Sequence, residues 1–350
     1  MEPRYTPAML LSLFAAACAP EQPDPGNPGQ SCLSEVPEID FDDAIVGYRY
    51  IPHEYALPWD SSARSIGMNV WYPTDAPTDE AARYIDMWDD ANSRVESPFK
   101  VDDCGKRPLV IYSHGSQAWG GNNSPLLGQF VRNGWIAAAP DHTDNLLNQD
   151  LDPKPANFPA VRAADMIETL DWLETLPTDD PLAGRIDTSR VLVLGHSYGG
   201  QTSWLLSDVG LMPSEEPAFA APLGDERIVA VGPMAGSAGA DLVDDTTWGE
   251  VSVPILYQTG TNDNDGTDAF TRASAADVTW VELEGGCHES FTATQLPCET
   301  LPKEEAAPIV AAYTMAFGWA HVLESSESAV TEILDGTTNV SDRVTFHHSR

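Results

Sequence analysis

Val191-Leu192-Val193-Leu194-Gly195-His196-Ser197-Tyr198-Gly199-Gly200 joins a short apolar run to a serine flanked by glycines, and a helix is expected to begin near Gln201. A brief apolar run bounded by turn residues reads as a strand buried on both faces, as in a parallel sheet. Between such a strand and a helix, G-x-S-x-G is a sharp turn that exposes a nucleophilic serine. The turn holds the serine in a strained backbone conformation, and bulk at either flank would strike the neighbouring strand or helix. The hydroxyl then sits at a helix N-terminus, where the dipole favours negative charge.

The same alternation of strand and helix extends in both directions. Upstream, Ser65 to Tyr72 reads as an early strand stopped by Pro73, followed by a polar, acidic loop to Arg107. Pro108 to Ser113 is a buried strand that runs into His114-Gly115-Ser116. Leu126, Leu127, Phe130 and Val131 recur at helical spacing until Asn133-Gly134, and Trp135 to Ala139 forms the next strand, closed by Pro140. Val161, Ala164, Ile167, Leu170, Trp172 and Leu173 mark one face of an amphipathic helix. Downstream, strands are expected over Ile228 to Val231, Val253 to Gln258 and Val278 to Leu283, then a long helix from about Glu304 to Leu323. Strands alternating with helices predict an α/β fold with a mostly parallel central sheet and helices on both faces. No internal repeat and no second core interrupts it, so one domain is expected over 32–350.

A serine hydroxyl is a poor nucleophile until a base takes its proton. With a serine on such an elbow the chain order is serine, acid, histidine. Of the eight histidines, that leaves His288, His321, His347 and His348. His321 falls in the final helix and His347 and His348 in the terminal tail. His288 follows the last expected strand in Gly285-Gly286-Cys287-His288, at the sheet edge where open α/β sheets place their sites. The strand ending at Gly232-Pro233-Met234 offers no carboxylate, whereas Val253 to Gln258 leads into Thr259-Gly260-Thr261-Asn262-Asp263, so Asp263 is the expected acid, with Asp265 in reserve. The run Asp263 to Asp268 lacks the spacing and closing Glu of a calcium loop, so no metal is expected there. The backbone N–H groups of Tyr198 and Ser116, with Gln117 as neighbour, are the expected donors to an oxyanion.

Composition and the N-terminus bear on location. Met1 to Cys18 carries an early Arg4, an apolar run too short to span a bilayer, and Ala15-Ala16-Ala17 before Cys18. This reads as a secretory signal ending like a bacterial lipobox, so Cys18 is expected to carry lipid, the alternatives being an ordinary cleaved signal with secretion or an uncleaved N-terminal anchor. The stretch 19–31, with Pro20, Pro23, Pro25 and Pro28, reads as an extended tether. Of the 5 cysteines this leaves Cys32, Cys104, Cys287 and Cys298, an even set for an oxidising compartment, and the pairings favoured are Cys287 with Cys298 and Cys32 with Cys104. The formal charge of −36 argues against nucleic acid and anionic lipid headgroups as partners.

The linked motifs resemble those of exported bacterial hydrolases described as predicted dienelactone hydrolases, which are similar to platelet-activating-factor acetylhydrolases and, more distantly, to polyester hydrolases. The resemblance rests on Val70 to Pro73, Pro108 to Ser116, Ala138 to His142, the helix containing Arg162 and Asp165, the elbow, Gly285 to Phe291 and Ala311 to Leu334. It implies the α/β-hydrolase fold, a Ser-Asp-His triad without cofactor, and action on small-molecule or lipid-like esters. Departures narrow it. Acetylhydrolases carry their acid where this chain has Gly232, polyester hydrolases usually place a stacking tryptophan in that region, and true dienelactone hydrolases use cysteine as nucleophile. An amidase or peptidase could use the same triad, and an inactive surface module is a reading of a different class.

Overall fold

In chain order the strands of the computed structural model are β1 (Val46–Ala56), β2 (Ala63–Tyr72), β3 (Ala81–Tyr84), β4 (Trp88–Val95), β5 (Arg107–Ser113), β6 (Ile136–Asp141), the short hairpin β7 (Asn145–Leu146) and β8 (Gln149–Asp150), β9 (Ile186–His196), β10 (Ile228–Met234), β11 (Ile255–Gly260), β12 (Val278–Leu283) and β13 (Val344–Ser349). The helices are α1 (Ser124–Arg132), α2 (Phe158–Glu174), α3 (Tyr198–Leu205), α4 (Thr267–Arg272), α5 (Lys303–His321) and α6 (Ser328–Leu334). The structure describes residues 33–42, 45–211, 223–237, 243–244, 246–263, 266–274, 276–293 and 296–349. The expected signal, tether, Cys18, Cys32 and Asp265 lie outside the described residues.

One sheet runs in the order β13-β12-β11-β10-β9-β5-β6-β2-β1-β4-β3. Neighbours from β6 through β12 are parallel, while β2 pairs antiparallel with β6 and β1, and β13 antiparallel with β12. The alternation of side chains divides each central strand between two layers. Leu109 and Ile111 of β5 and Val191 and Val193 of β9 pack with α2 and α3 through Met166, Leu170, Trp204 and Leu205. Val110, Tyr112, Leu192 and Leu194 pack on the opposite face with Leu127 and Phe130 of α1 and Ile309, Met315 and Trp319 of α5. Each such side chain, removed from water, contributes roughly 1.5–3 kcal/mol, which is why an unbroken apolar run is needed at the sheet centre.

The central elements fall where the sequence puts them, and the differences have local causes. β6 continues through Pro140, which pairs with Met68 of β2. Its register with β5 has ended by Ala138, so the missing proline N–H breaks no bond on that side. β10 likewise runs through Gly232-Pro233 to Met234 beside β9. The expected acidic loop before Arg107 contains β3 and β4, and the expected terminal tail is the edge strand β13, with His347 opposite Trp280. These outer strands are half exposed and polar, so they lack the hydrophobic run that marks a buried strand. Among the described residues no helix is long and apolar enough to cross a membrane.

Candidate active site

The C-terminal ends of β5, β6, β9, β11 and β12 converge on one edge of the sheet. At the end of β9, Ser197 has φ 58° and ψ −118°, a left-handed conformation for a non-glycine residue. Close packing explains the flanking glycines: a Cβ on Gly195 would collide with the Gly199 carbonyl, and one on Gly199 with the carbonyl of Ser113. The turn is held by the Ser197 N–H, which donates to Met234 O of β10 at 2.9 Å. α3 begins at Tyr198, leaving the serine hydroxyl at its N-terminus.

Asp263 and His288 come together because the loops after β11 and β12 touch. A Cβ on Gly260 would strike the Gly286 carbonyl, and Asn262 N–H donates to Gly286 O at 2.9 Å. Glycine is needed at 260 for the backbones to approach, and a Cβ at 286 would be a tight fit, 3.0 Å from Gly260 Cα. His288 Nδ1 then lies 2.9 Å from Asp263 Oδ1, with the carboxylate 7% exposed and the imidazole 34%. The carboxylate is acceptor-only, so Nδ1 carries the proton and Nε2 keeps its lone pair. The hydrogen bond to the Asp263 carboxylate, opposed in part by burial, raises the His288 pKa above its ordinary value. Cys287 and Cys298 form the expected disulfide, with a Cα–Cα distance of 5.7 Å, and fasten the start of this loop. Cys104 is buried, and its expected partner lies outside the described residues.

His196, inside the elbow, had no role in the sequence reading. Its Nε2–H donates to His288 O at 2.8 Å, and the two rings lie 4.8 Å apart. Burial holds its pKa down at about 4, so it is a neutral strut between the serine turn and the histidine loop. Ser197 Oγ itself makes no hydrogen bond among the described residues. Contacts between a nucleophile and its base are often long without substrate and tighten in the reacting complex. Of the other histidines weighed, His321 packs on Phe317, His347 stacks on Trp280 and His348 lies 3.7 Å from Asp277.

The expected oxyanion donors lie on either side of the serine. A Cβ on Gly115 would be 3.2 Å from Ser197 Cβ, so the His114-Gly115-Ser116 turn abuts Ser197. Neither the Ser116 nor the Tyr198 N–H has an acceptor among the described residues. Ser116 Oγ accepts from Asn145 Nδ2 at 3.0 Å.

Beneath this surface lies a second Ser-His-Asp arrangement. Ser113 Oγ is 2.9 Å from His142 Nε2, and His142 Nδ1 is 2.8 Å from Asp165 Oδ2. All three side chains are fully buried, Ser113 Oγ also accepts from Arg162 Nη2 at 3.0 Å, and Asp165 pairs with Arg64 Nε at 2.6 Å. Burial drives the His142 pKa down to about 3, leaving it neutral. Burial also opposes charge on Asp165, yet its bonds to Arg64 and His142 prevail and hold it at about 2. With no exposed serine, this set is a buttress under the site. The helix face expected to be buried is only half-buried at Ala164, Ile167 and Trp172, because α2 turns Arg162 and Asp165 inward into this network beside Ala163 and Met166.

No family model matches the chain, and no curated protein matches it. Among solved structures, the fold is similar to that of a ferulic acid esterase from Streptomyces cinnamoneus, with a TM-score of 0.61, 20% sequence identity, and coverage of 86% of this chain and 95% of that one. The parallel sheet covered on both faces, the strand-to-helix elbow and this likeness define the α/β-hydrolase fold. At that identity the likeness extends to the fold and does not choose among the dienelactone, acetylhydrolase and polyester hydrolase resemblances.

Proposed function

We propose that this chain is a serine hydrolase that cleaves carboxylic esters through an acyl-enzyme intermediate. The observation that carries the reading is the Asp263–His288 pair, held on touching loops and tied through His196 to the elbow of Ser197. In this reading Ser197 Oγ attacks the acyl carbon as its proton passes to His288 Nε2, and the N–H groups of Ser116 and Tyr198 receive the oxyanion. Collapse expels the alcohol, which takes the proton from His288. Water, activated by the same histidine, then releases the acid and restores Ser197. Asp263 keeps the imidazole in the required tautomer and stabilises its cation.

Turnover of p-nitrophenyl esters of graded acyl length against the matching anilides tests the reading, with esters expected to be the faster class. Faster anilide hydrolysis would move the assignment to an amidase, and turnover of neither would leave no support for an enzyme of this kind. The esterase whose fold is similar favours the ester side. The disulfide at Cys287 and Cys298 suits an exported protein. We further propose anchoring through a lipid on Cys18. The mass of the mature N-terminal peptide from a bacterial host checks it, and a peptide that starts elsewhere without lipid excludes the anchor.

A further inference from the structure

We propose that Arg162 is a positioning residue of the oxyanion site, locking together the two segments that carry the Ser116 and Tyr198 N–H groups and setting an unpaired positive charge beneath them. This rests on the reading of Ser197 as nucleophile. Arg162 is fully buried on α2. Toward the first segment its Nη2 donates to Ser113 Oγ at 3.0 Å and to the His114 carbonyl, and its Nη1 donates to Asn145 Oδ1 at 2.7 Å. Asn145 passes the constraint on through its amide, which holds Ser116 Oγ at 3.0 Å. Toward the second segment the guanidinium lies 4.7 Å from the centre of the Tyr198 ring. Its Nε also reaches Thr202 Oγ1 at 3.3 Å, and that hydroxyl donates to Tyr198 O at 3.0 Å. One rigid planar fork therefore contacts both sides of the serine turn.

The charge is the less ordinary part. Asp165, one helical turn along α2, spends both oxygens on Arg64, Tyr55 and His142. Among the described residues no carboxylate lies within ion-pair distance of Arg162, and every one of its hydrogen-bond acceptors is neutral. Burial lowers its pKa to about 10, which still leaves it a cation at neutral pH. Asp165 offsets part of that charge through space, but a buried cation with no carboxylate in direct contact is still costly. An anion that forms during reaction above the same scaffold would find that charge already in place, which is the arrangement that favours a transition state over a neutral ground state.

The test uses Arg162→Met, Arg162→Lys and Asn145→Ala. For each, a fluorescent organophosphonate counts reactive Ser197 sites, kcat and KM are measured on p-nitrophenyl acetate per reactive site, and a thermal melt reports folding. Arg162→Met is expected to lower kcat per site by about 10- to 100-fold with little change in KM, less than the roughly 100- to 1,000-fold for losing an oxyanion donor outright, because Arg162 acts through the donors and does not touch the oxyanion. Arg162→Lys, which keeps the charge without the fork, should fall between it and the parent, and Asn145→Ala should lose kcat through Ser116 alone. Affinity for a boronic acid, which becomes a tetrahedral anion on the serine, should fall by the same factor as kcat. Fewer reactive sites, each turning over at the parent rate, would overturn the proposal and leave Arg162 a structural residue. If Arg162→Met does not fold, the other two variants decide on the same measure. A parent protein that neither takes the phosphonate at Ser197 nor hydrolyses esters fails at the first arm, and that outcome removes the enzyme reading and this inference together.

Discussion

Ser197→Ala is expected to reduce ester turnover by on the order of a millionfold and to abolish labelling by an organophosphonate, while the melting temperature stays close to that of the parent. The size follows from the role: without the hydroxyl no acyl-enzyme forms, and what remains is binding and oxyanion stabilisation. The small structural cost follows from the surroundings. Ser197 Oγ makes no hydrogen bond among the described residues, so its loss strands no buried partner. Alanine also suits this position about as well as serine, because the strain of φ 58° belongs to any residue with a Cβ. Rates on p-nitrophenyl esters, a thermal melt and mass mapping of the labelled peptide check all three parts. The mapping matters most, because a second serine, Ser113, also stands beside a His-Asp pair. Label on Ser113 would mean that the buried set opens to substrate and that the wrong serine has been assigned.

The contrast between those two sets shows what the sequence could and could not reveal. Ser197 was legible because the elbow needs a local pattern: glycines where a Cβ would meet Gly199 or Ser113, after an apolar strand. His288 followed from order along the chain and from position after β12, since strand ends gather at one edge of the sheet. Asp263 was reached the same way, as the first carboxylate after β11. The buried network was not legible from periodicity. Ser113, His142 and Asp165 come from β5, the end of β6 and α2, and only the fold brings Ser113 and Asp165 each within 3 Å of His142. His196 escaped notice because x in G-x-S-x-G is silent about its residue, and its bond to His288 O spans 92 positions. The outer strands escaped for another reason: β4, with Asp89 and Asp90, and β13, with His347 and His348, pair through backbone and do not need an apolar face.

Asp263→Asn is expected to cost about 10⁴-fold in kcat, far more than Asp265→Asn, and to move the acid limb of the pH profile to lower pH. The first effect is a matter of tautomer. The Asp263 carboxylate accepts from His288 Nδ1 at 2.9 Å and so leaves Nε2 able to take the serine proton. An amide in its place can turn its NH₂ toward Nδ1, which fixes the opposite tautomer and puts a hydrogen on Nε2. Asp263 Oδ2 is buried with no partner among the described residues, so no second bond holds the new amide the other way round. The second effect follows from charge. The base works only when neutral, so activity falls as pH drops through the His288 pKa, which the hydrogen bond to Asp263 raises. Removing the carboxylate removes that stabilisation of the imidazolium, the pKa falls, and the residual activity persists to lower pH than in the parent. Profiles of kcat/KM for the parent and both variants measure each effect separately. A larger loss in Asp265→Asn would transfer the role of acid to that residue. An unmoved acid limb in Asp263→Asn would mean that the carboxylate does not set the charge of the working histidine, even if the rate falls.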